Sequence, residues 1–128
     1  MAEMSNYLEN ALINGTLRAT SYTAPTTTFL ALYTNDPTDA DTGTEVTGGS
    51  YVRQSITFSA PSGGATSNSS AIEFPQCTAD WGTITHIGIR DAVTTGNLLY
   101  HSALDTSKTI ANGDIFKITA TNLSVTLA

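Results

Sequence analysis

Asp80-Trp-Gly-Thr-Ile-Thr-His-Ile-Gly-Ile-Arg90-Asp-Ala-Val-Thr-Thr-Gly-Asn-Leu-Leu-Tyr100-His-Ser-Ala-Leu104 holds two apolar runs on either side of a short polar segment. Residues 83–89 carry a β-branched residue at almost every other step, and residues 98–104 form the second run. Between them, residues 91–97 include Gly96 and Asn97, which tolerate positive φ. The pattern predicts two antiparallel strands joined as a hairpin. Strict alternation puts Trp81, Thr83, Thr85, Ile87 and Ile89 on one face, and Ile84, His86, Gly88 and Arg90 on the other. Trp81 offers the largest apolar surface in the chain, and its indole N–H needs a partner once buried. This hairpin is the expected centre of the core.

The 128 residues suit a single domain with a real core. A hydrophobic share of 40% argues against global disorder, while only 12% of residues are charged. Thr-rich sequence with little Lys or Glu favours strands and turns. A net charge of −6 argues against nucleic acid and against an anionic membrane surface. No apolar run reaches the ~18 residues a membrane helix needs. The N-terminus lacks the basic-then-apolar order of a signal peptide, which points to synthesis in a cytoplasm. Cys77 stands alone and cannot form an intramolecular disulfide.

Residues 5–17 carry the one helical signal, with Ser5 as N-cap and Glu9 in the first turns. Met4, Leu8, Ala11 and Leu12 recur at helical spacing, and Asn14-Gly15 reads as the stop. Residues 1–3 read as a short extension. Residues 28–34, apolar on both faces, predict a central strand, and residues 35–50 a polar surface loop. In 51–58, Val52, Gln54, Ile56 and Phe58 alternate with Tyr51, Arg53, Ser55 and Thr57. Residues 60–68 read as a flexible turn, 70–74 as a short strand ending at Pro75, and Asn112-Gly113 as a turn. Residues 115–120 and 123–127 supply the last strands.

The resulting fold class is all-β: an antiparallel β-sandwich, jelly-roll or Greek-key like, with one short N-terminal α-helix. Within this single domain, residues 1–17 form the helical part and 18–128 the sandwich. The expected core is Phe29, Leu30, Leu32, Ile56, Phe58, Phe74, Trp81, Ile87, Ile89, Leu99, Ile118 and Val125.

Chemistry-bearing patterns are sparse. Asp36, Asp39, Asp41, Gly43 and Glu45 resemble a calcium loop only in composition, since its register and flanking helices are missing; a solvated acidic loop is the simpler reading. His86 and His101 lie on the two arms of the hairpin, but two imidazoles with Cys77 are too few for a structural zinc site. His101, Ser102 and Asp91 are triad residue types without a nucleophile elbow. Gly48-Gly49 and Gly63-Gly64 open no helix with a Lys, so they are not phosphate loops. The expectation is no catalytic, cofactor or metal site, no cofactor, and no enzymatic activity.

The blocks Asn6-Tyr-Leu-Glu-Asn-Ala-Leu12, Pro25-Thr-Thr-Thr-Phe-Leu-Ala-Leu-Tyr-Thr-Asn-Asp-Pro37, Gly49-Ser-Tyr-Val-Arg-Gln54, residues 68–74, Ala79-Asp-Trp-Gly-Thr-Ile-Thr-His86, Asn97-Leu-Leu-Tyr100 and Asn112-Gly-Asp114 run in order along almost the whole chain. In this order the chain resembles small virion structural proteins of tailed bacteriophages, a family labelled head-decoration (cement) or tail-fibre. The resemblance implies a structural role in the virion without catalysis. Trp81, Asp114 and the Gly49 turn are then fold-determining residues.

The main expectation is a capsid decoration protein on the head exterior. There it would bind the major capsid protein and stabilise the lattice, with its acidic loop turned away from packed DNA. Loops 35–50 and 60–68 would make the contacts. The alternative is a tail or tail-fibre component, with tail proteins as partners and host contact as its role. Either reading includes a homo-oligomer, a dimer or trimer, with the 5–17 helix at the subunit contact.

Overall fold

Alternating β-branched residues in the hairpin build the longest strands of the protein, and the other elements assemble on them. A computed structural model describes residues 2–127. In chain order the elements are β1 (Glu3–Met4), α1 (Asn6–Leu17), β2 (Thr28–Tyr33), β3 (Gln54–Ile56), β4 (Ala65–Ser67), β5 (Ile72–Glu73), β6 (Gly82–Arg90), β7 (Leu98–Ile110), β8 (Lys117–Ile118) and β9 (Ser124–Thr126). Five strands form an antiparallel sheet in the order β1-β7-β6-β2-β3. The opposing layer is split into two ribbons, β4-β9 and β5-β8. The layers share one core, in which Leu30, Leu32, Ile84, Ile87 and Ile89 of the sheet meet Ile72, Phe74, Phe116, Leu123 and Val125. The protein is a sandwich-like, mostly β fold with one N-terminal helix.

The aromatic centre explains why Trp81 matters. Phe74 packs edge-on against Phe116 at 5.7 Å and against Trp81 at 6.1 Å, and Tyr51 stacks on Phe74 at 5.9 Å. Such pairs add ~0.5–1.5 kcal/mol each beyond burial. The Trp81 indole N–H donates to the Gly49 carbonyl at 2.9 Å. Gly49 has φ +59°, and a Cβ there would stand 2.8 Å from the indole nitrogen, so a side chain would push the ring away. Asp114, expected to shape its turn, accepts the Ala111 N–H at 2.9 Å.

Several expectations change in the structure. Ile84 joins Ile87 and Ile89 in the core, because β6 does not alternate strictly. Ile84 pairs with Lys108 while His86 pairs with Ala103, so a bulge of β7 residues opposes Thr85 and resets the facing. Strand β7 continues to Ile110, well past Leu104. The helix runs through Gly15 to Leu17, and the Arg18 N–H closes it on the Asn14 carbonyl. Ser5 does cap it, accepting the Leu8 N–H at 3.2 Å. Of the expected stripe only Leu8 is buried within the helix, and Met4 belongs to β1. Ala2 is in the core and Glu3 in β1, so neither is a loose extension; Met1 lies outside the described residues.

Residues 60–68 are not a free turn. They contain β4, and Asn68, fully buried, accepts the Leu123 N–H at 2.9 Å while donating to the Ser70 and Thr119 carbonyls. The strand expected over 51–58 shortens to Gln54–Ile56, leaving Val52 exposed. Phe29, Phe58 and Ile118 are only half-buried, whereas Ile72, Cys77, Ile110 and Phe116 join the core. Half-burial follows from position: Phe29 lies on the sheet face that carries the polar network.

Candidate functional site

Cross-strand register decides which groups meet on that second face. Tyr33 opposes His86, Ala31 opposes Gly88, Gly88 opposes His101, and His101 opposes Glu3. Residues directly opposite each other point to the same side. Gly88 is the low point of this face. A Cβ on it would stand 2.8 Å from both Leu98 and the Tyr33 ring, so only glycine lets those side chains close over the strand. Helix α1 and the acidic loop cover the face, with the Ser5 hydroxyl donating to the Leu98 carbonyl and the Asn6 N–H donating to the Asp39 carbonyl at 2.8 Å.

The acidic loop is exposed, as expected, but it is pinned to the rest of the fold. Pro37 is fully buried, the Thr42 N–H donates to its carbonyl at 2.6 Å, and the Val46 N–H donates to the Leu32 carbonyl at 3.0 Å. Asp36 accepts the Thr38 N–H at 2.9 Å, a local turn that Asp favours. Four of the five acidic and turn positions singled out in the sequence therefore contact other elements through their side chains or backbone, and they fall into two groups.

In the first group, Arg90 grips Asp41 through two parallel bonds of 2.8 Å. Arg90 also donates to the Tyr33 hydroxyl at 2.9 Å and the Gly96 carbonyl at 2.9 Å. Beside it, Arg53 binds Glu45 at 2.8 and 2.7 Å and donates to the Ala92 and Thr95 carbonyls, each at 2.8 Å. The Tyr51 hydroxyl donates to Glu45 at 2.6 Å and accepts the Leu32 N–H at 3.0 Å. Two guanidiniums thus tie the acidic loop to the β6-β7 turn, a planar two-bond recognition that Lys could not copy. Burial alone would raise the Glu45 carboxyl, but the hydrogen bonds from Arg53 and Tyr51 outweigh it and hold it below its ordinary value. Burial pushes the Tyr51 hydroxyl up, and the bond to Glu45 adds to the rise. Burial also raises Tyr33, against the opposing pull of Arg90.

In the second group, His101 is 5% exposed, and three carboxylates surround it. Its Nε2 lies 2.7 Å from Asp39 Oδ1 and 4.0 Å from Glu3 Oε2, and its Nδ1 lies 3.8 Å from Asp36 Oδ1. His86 lines the same cleft of about 340 Å³ and stands 2.8 Å from the Thr85 hydroxyl. The two histidines of the hairpin therefore share one wall, as their strands suggested, and His101 is partnered by Asp39. Cys77 is elsewhere in the core, its thiol donating to the Ala111 carbonyl at 2.6 Å.

The triad residue types are not assembled. Asp91 accepts the backbone and side-chain N–H groups of Asn97 at 2.7 and 3.0 Å within the turn, and the Ser102 hydroxyl donates to the Ala103 carbonyl at 3.2 Å. Sequence reading missed both arginine clamps. Arg53 lies just before β3 and Arg90 ends β6, both buried, a placement that demands a carboxylate partner.

A second open cleft, about 310 Å³, adjoins the arginine network and is lined by Glu45, Val46, Tyr51, Val52, Arg53 and Val93 among others. Val52 and Val93 are exposed there, so this is a shallow, mixed surface. Of the chain's aromatics, Trp81 and Tyr33 are buried, and Tyr22, Tyr51 and Tyr100 are half-buried. Flat exposed rings of the kind that stack on sugars are reduced to Tyr7, which is 37% exposed.

No helix among the described residues is long and apolar enough to cross a membrane. No curated protein matches the chain. A family model described as Podophage GP4 fiber I protein gp80 matches residues 3–126, from the first strand to the end of the last. With nearly its whole length matched, the chain belongs to the Podophage GP4 fiber I protein gp80 family and is a structural component of a tailed-phage virion.

Proposed function

We propose that the protein is a small structural module of a tail fibre rather than a cement protein on the head. The match of residues 3–126 to a family named for a fibre protein carries this reading, and it favours the tail alternative over capsid decoration. Its work is mechanical and adhesive, with no chemical step. Buried arginine–carboxylate ties hold the long loop rigid, which suits a contact surface that must keep its shape. The cleft beside Val52 and Val93 and the loop residues around it are the surface offered to neighbouring fibre or tail proteins. Few exposed aromatics favour a connecting role over direct sugar recognition.

Self-association as a dimer or trimer through α1 is part of the proposal, because Tyr7, Ile13 and Leu17 leave apolar surface uncovered. The experiment is to disrupt purified virions, separate heads from tails, and quantify the protein in each fraction by mass spectrometry. Recovery with tails at a few to some tens of copies supports the fibre reading. Hundreds of copies retained on tailless heads would restore the decoration reading.

A further inference from the structure

We propose that Glu3, Asp39 and His101 form a binding site for a divalent transition cation of the zinc class. Their donor atoms all lie within 4.8 Å of one another. They come from three separate elements: β1, the acidic loop and β7. Each is fixed independently, Glu3 opposite His101 by strand register and Asp39 by its carbonyl's bond to the Asn6 N–H.

Charge makes the case for a cation. A buried imidazole is satisfied by one carboxylate, and Asp39 at 2.7 Å already serves that need. Glu3 and Asp36 add two more carboxylates near the same ring, beyond hydrogen-bond reach at 4.0 and 3.8 Å. Among the described residues no Lys or Arg pairs with any of the three. Arg53 is spent on Glu45, Arg90 on Asp41, Lys117 lies by Glu73, Arg18 bonds Asn14, and Lys108 stands opposite Ile84, farther along β7. A dication at His101 Nε2 would relieve this concentration of negative charge.

Donor chemistry selects the ion. One imidazole with two carboxylates suits zinc and its first-row neighbours, whereas magnesium and calcium prefer oxygen alone. Ligand atoms about 2.0–2.2 Å from a shared tetrahedral zinc stand roughly 3.3–3.6 Å apart. Asp39 and His101, hydrogen-bonded at 2.7 Å, need to open by less than about 1 Å to reach that spacing, and Glu3, 71% exposed, has room to rotate inward. With Nε2 on the metal, the proton of a neutral ring sits on Nδ1, the side that faces Asp36. A carboxylate behind a ligating histidine is a recurrent support for such sites. Three protein ligands leave room for water or for a group from an adjoining protein. Bound metal would staple the N-terminal strand and the loop to the sheet.

The test uses the full chain, stripped with a chelator and titrated calorimetrically with zinc chloride and separately with magnesium chloride. Expected are one zinc per chain, no magnesium binding, and a rise in Tm with zinc. Asp39→Asn and His101→Asn should abolish binding, Glu3→Gln should weaken it about ten-fold or more, and His86→Asn should leave it unchanged. If His101→Asn fails to fold by circular dichroism, the exposed positions Glu3 and Asp39 decide. Absence of saturable zinc binding overturns the proposal. So does zinc binding that survives Glu3→Gln and Asp39→Asn, or that is lost with His86→Asn.

Discussion

Replacing Arg90 with Ala removes the group on which the loop-to-hairpin connection depends. The side chain makes five hydrogen bonds, to Asp41 twice, to the Tyr33 hydroxyl, and to the Thr95 and Gly96 carbonyls. Its exposure is 8%, against 36% for Asp41. Breaking a buried ion pair from one side costs ~3–5 kcal/mol, because the partner is left charged and poorly solvated. Asp41 can recover some water, so the lower end applies to that pair; Tyr33, 1% exposed, cannot. The net expectation is a loss of ~3–4 kcal/mol. Arg90→Lys keeps the charge but loses the paired geometry, and should cost ~2 kcal/mol. Asp41→Asn leaves the buried Arg90 charge without its carboxylate but with the Tyr33, Thr95 and Gly96 acceptors, and should cost ~2–3 kcal/mol. Urea denaturation followed by Trp81 fluorescence and far-UV circular dichroism measures all three. Arg90→Ala as the costliest of the three, at constant m-value, is expected. A loss below ~1 kcal/mol for Arg90→Ala, or Lys as good as Arg, would refute the clamp.

Phe74→Ala should destabilise by ~3–5 kcal/mol in the same assay, since Phe74 touches Tyr51, Trp81 and Phe116 at once. Trp81→Phe should cost at least the ~1 kcal/mol of its bond to the Gly49 carbonyl. The folded Glu45 carboxyl lies below its ordinary value, so its contribution is present above about pH 4.3 and is lost as pH falls through the folded value. Glu45→Gln should therefore flatten the acid limb of a stability–pH curve. Tyr33 and Tyr51 are raised when folded, so their contribution is full below about pH 10 and is lost as pH rises through the folded values. Tyrosinate absorbance should show their ionisation together with unfolding. Leu17→Asp, at 79% exposure, should leave Tm unchanged yet shift sedimentation toward monomer if α1 forms the self-contact, whereas Leu8→Asp, at 3%, should unfold the chain.

The hairpin was legible because its strands are long and their alternation is nearly clean, and Thr28–Tyr33 was legible as central because it is apolar on both faces. Where reading failed, a tertiary contact had overruled a local signal. Gly15 is the exception: α1 continues past it by a local bond, from the Arg18 N–H to the Asn14 carbonyl. Residues 60–68 look flexible by composition, but Asn68 ties them to Thr119 and Leu123, more than fifty residues away. The pinning of the acidic loop was hidden because Arg53, Arg90 and His101, which engage it, are remote in sequence. The approach of Glu3 and Asp39 to His101 could not be read from the sequence, since they come from a strand and a loop that only the fold brings together.

Immunogold electron microscopy of intact virions, with antibody raised against this chain, tests the fibre assignment most directly. Gold confined to the tail fibres or their attachment region is expected. Gold spread evenly over the head, with bare tails, would contradict it.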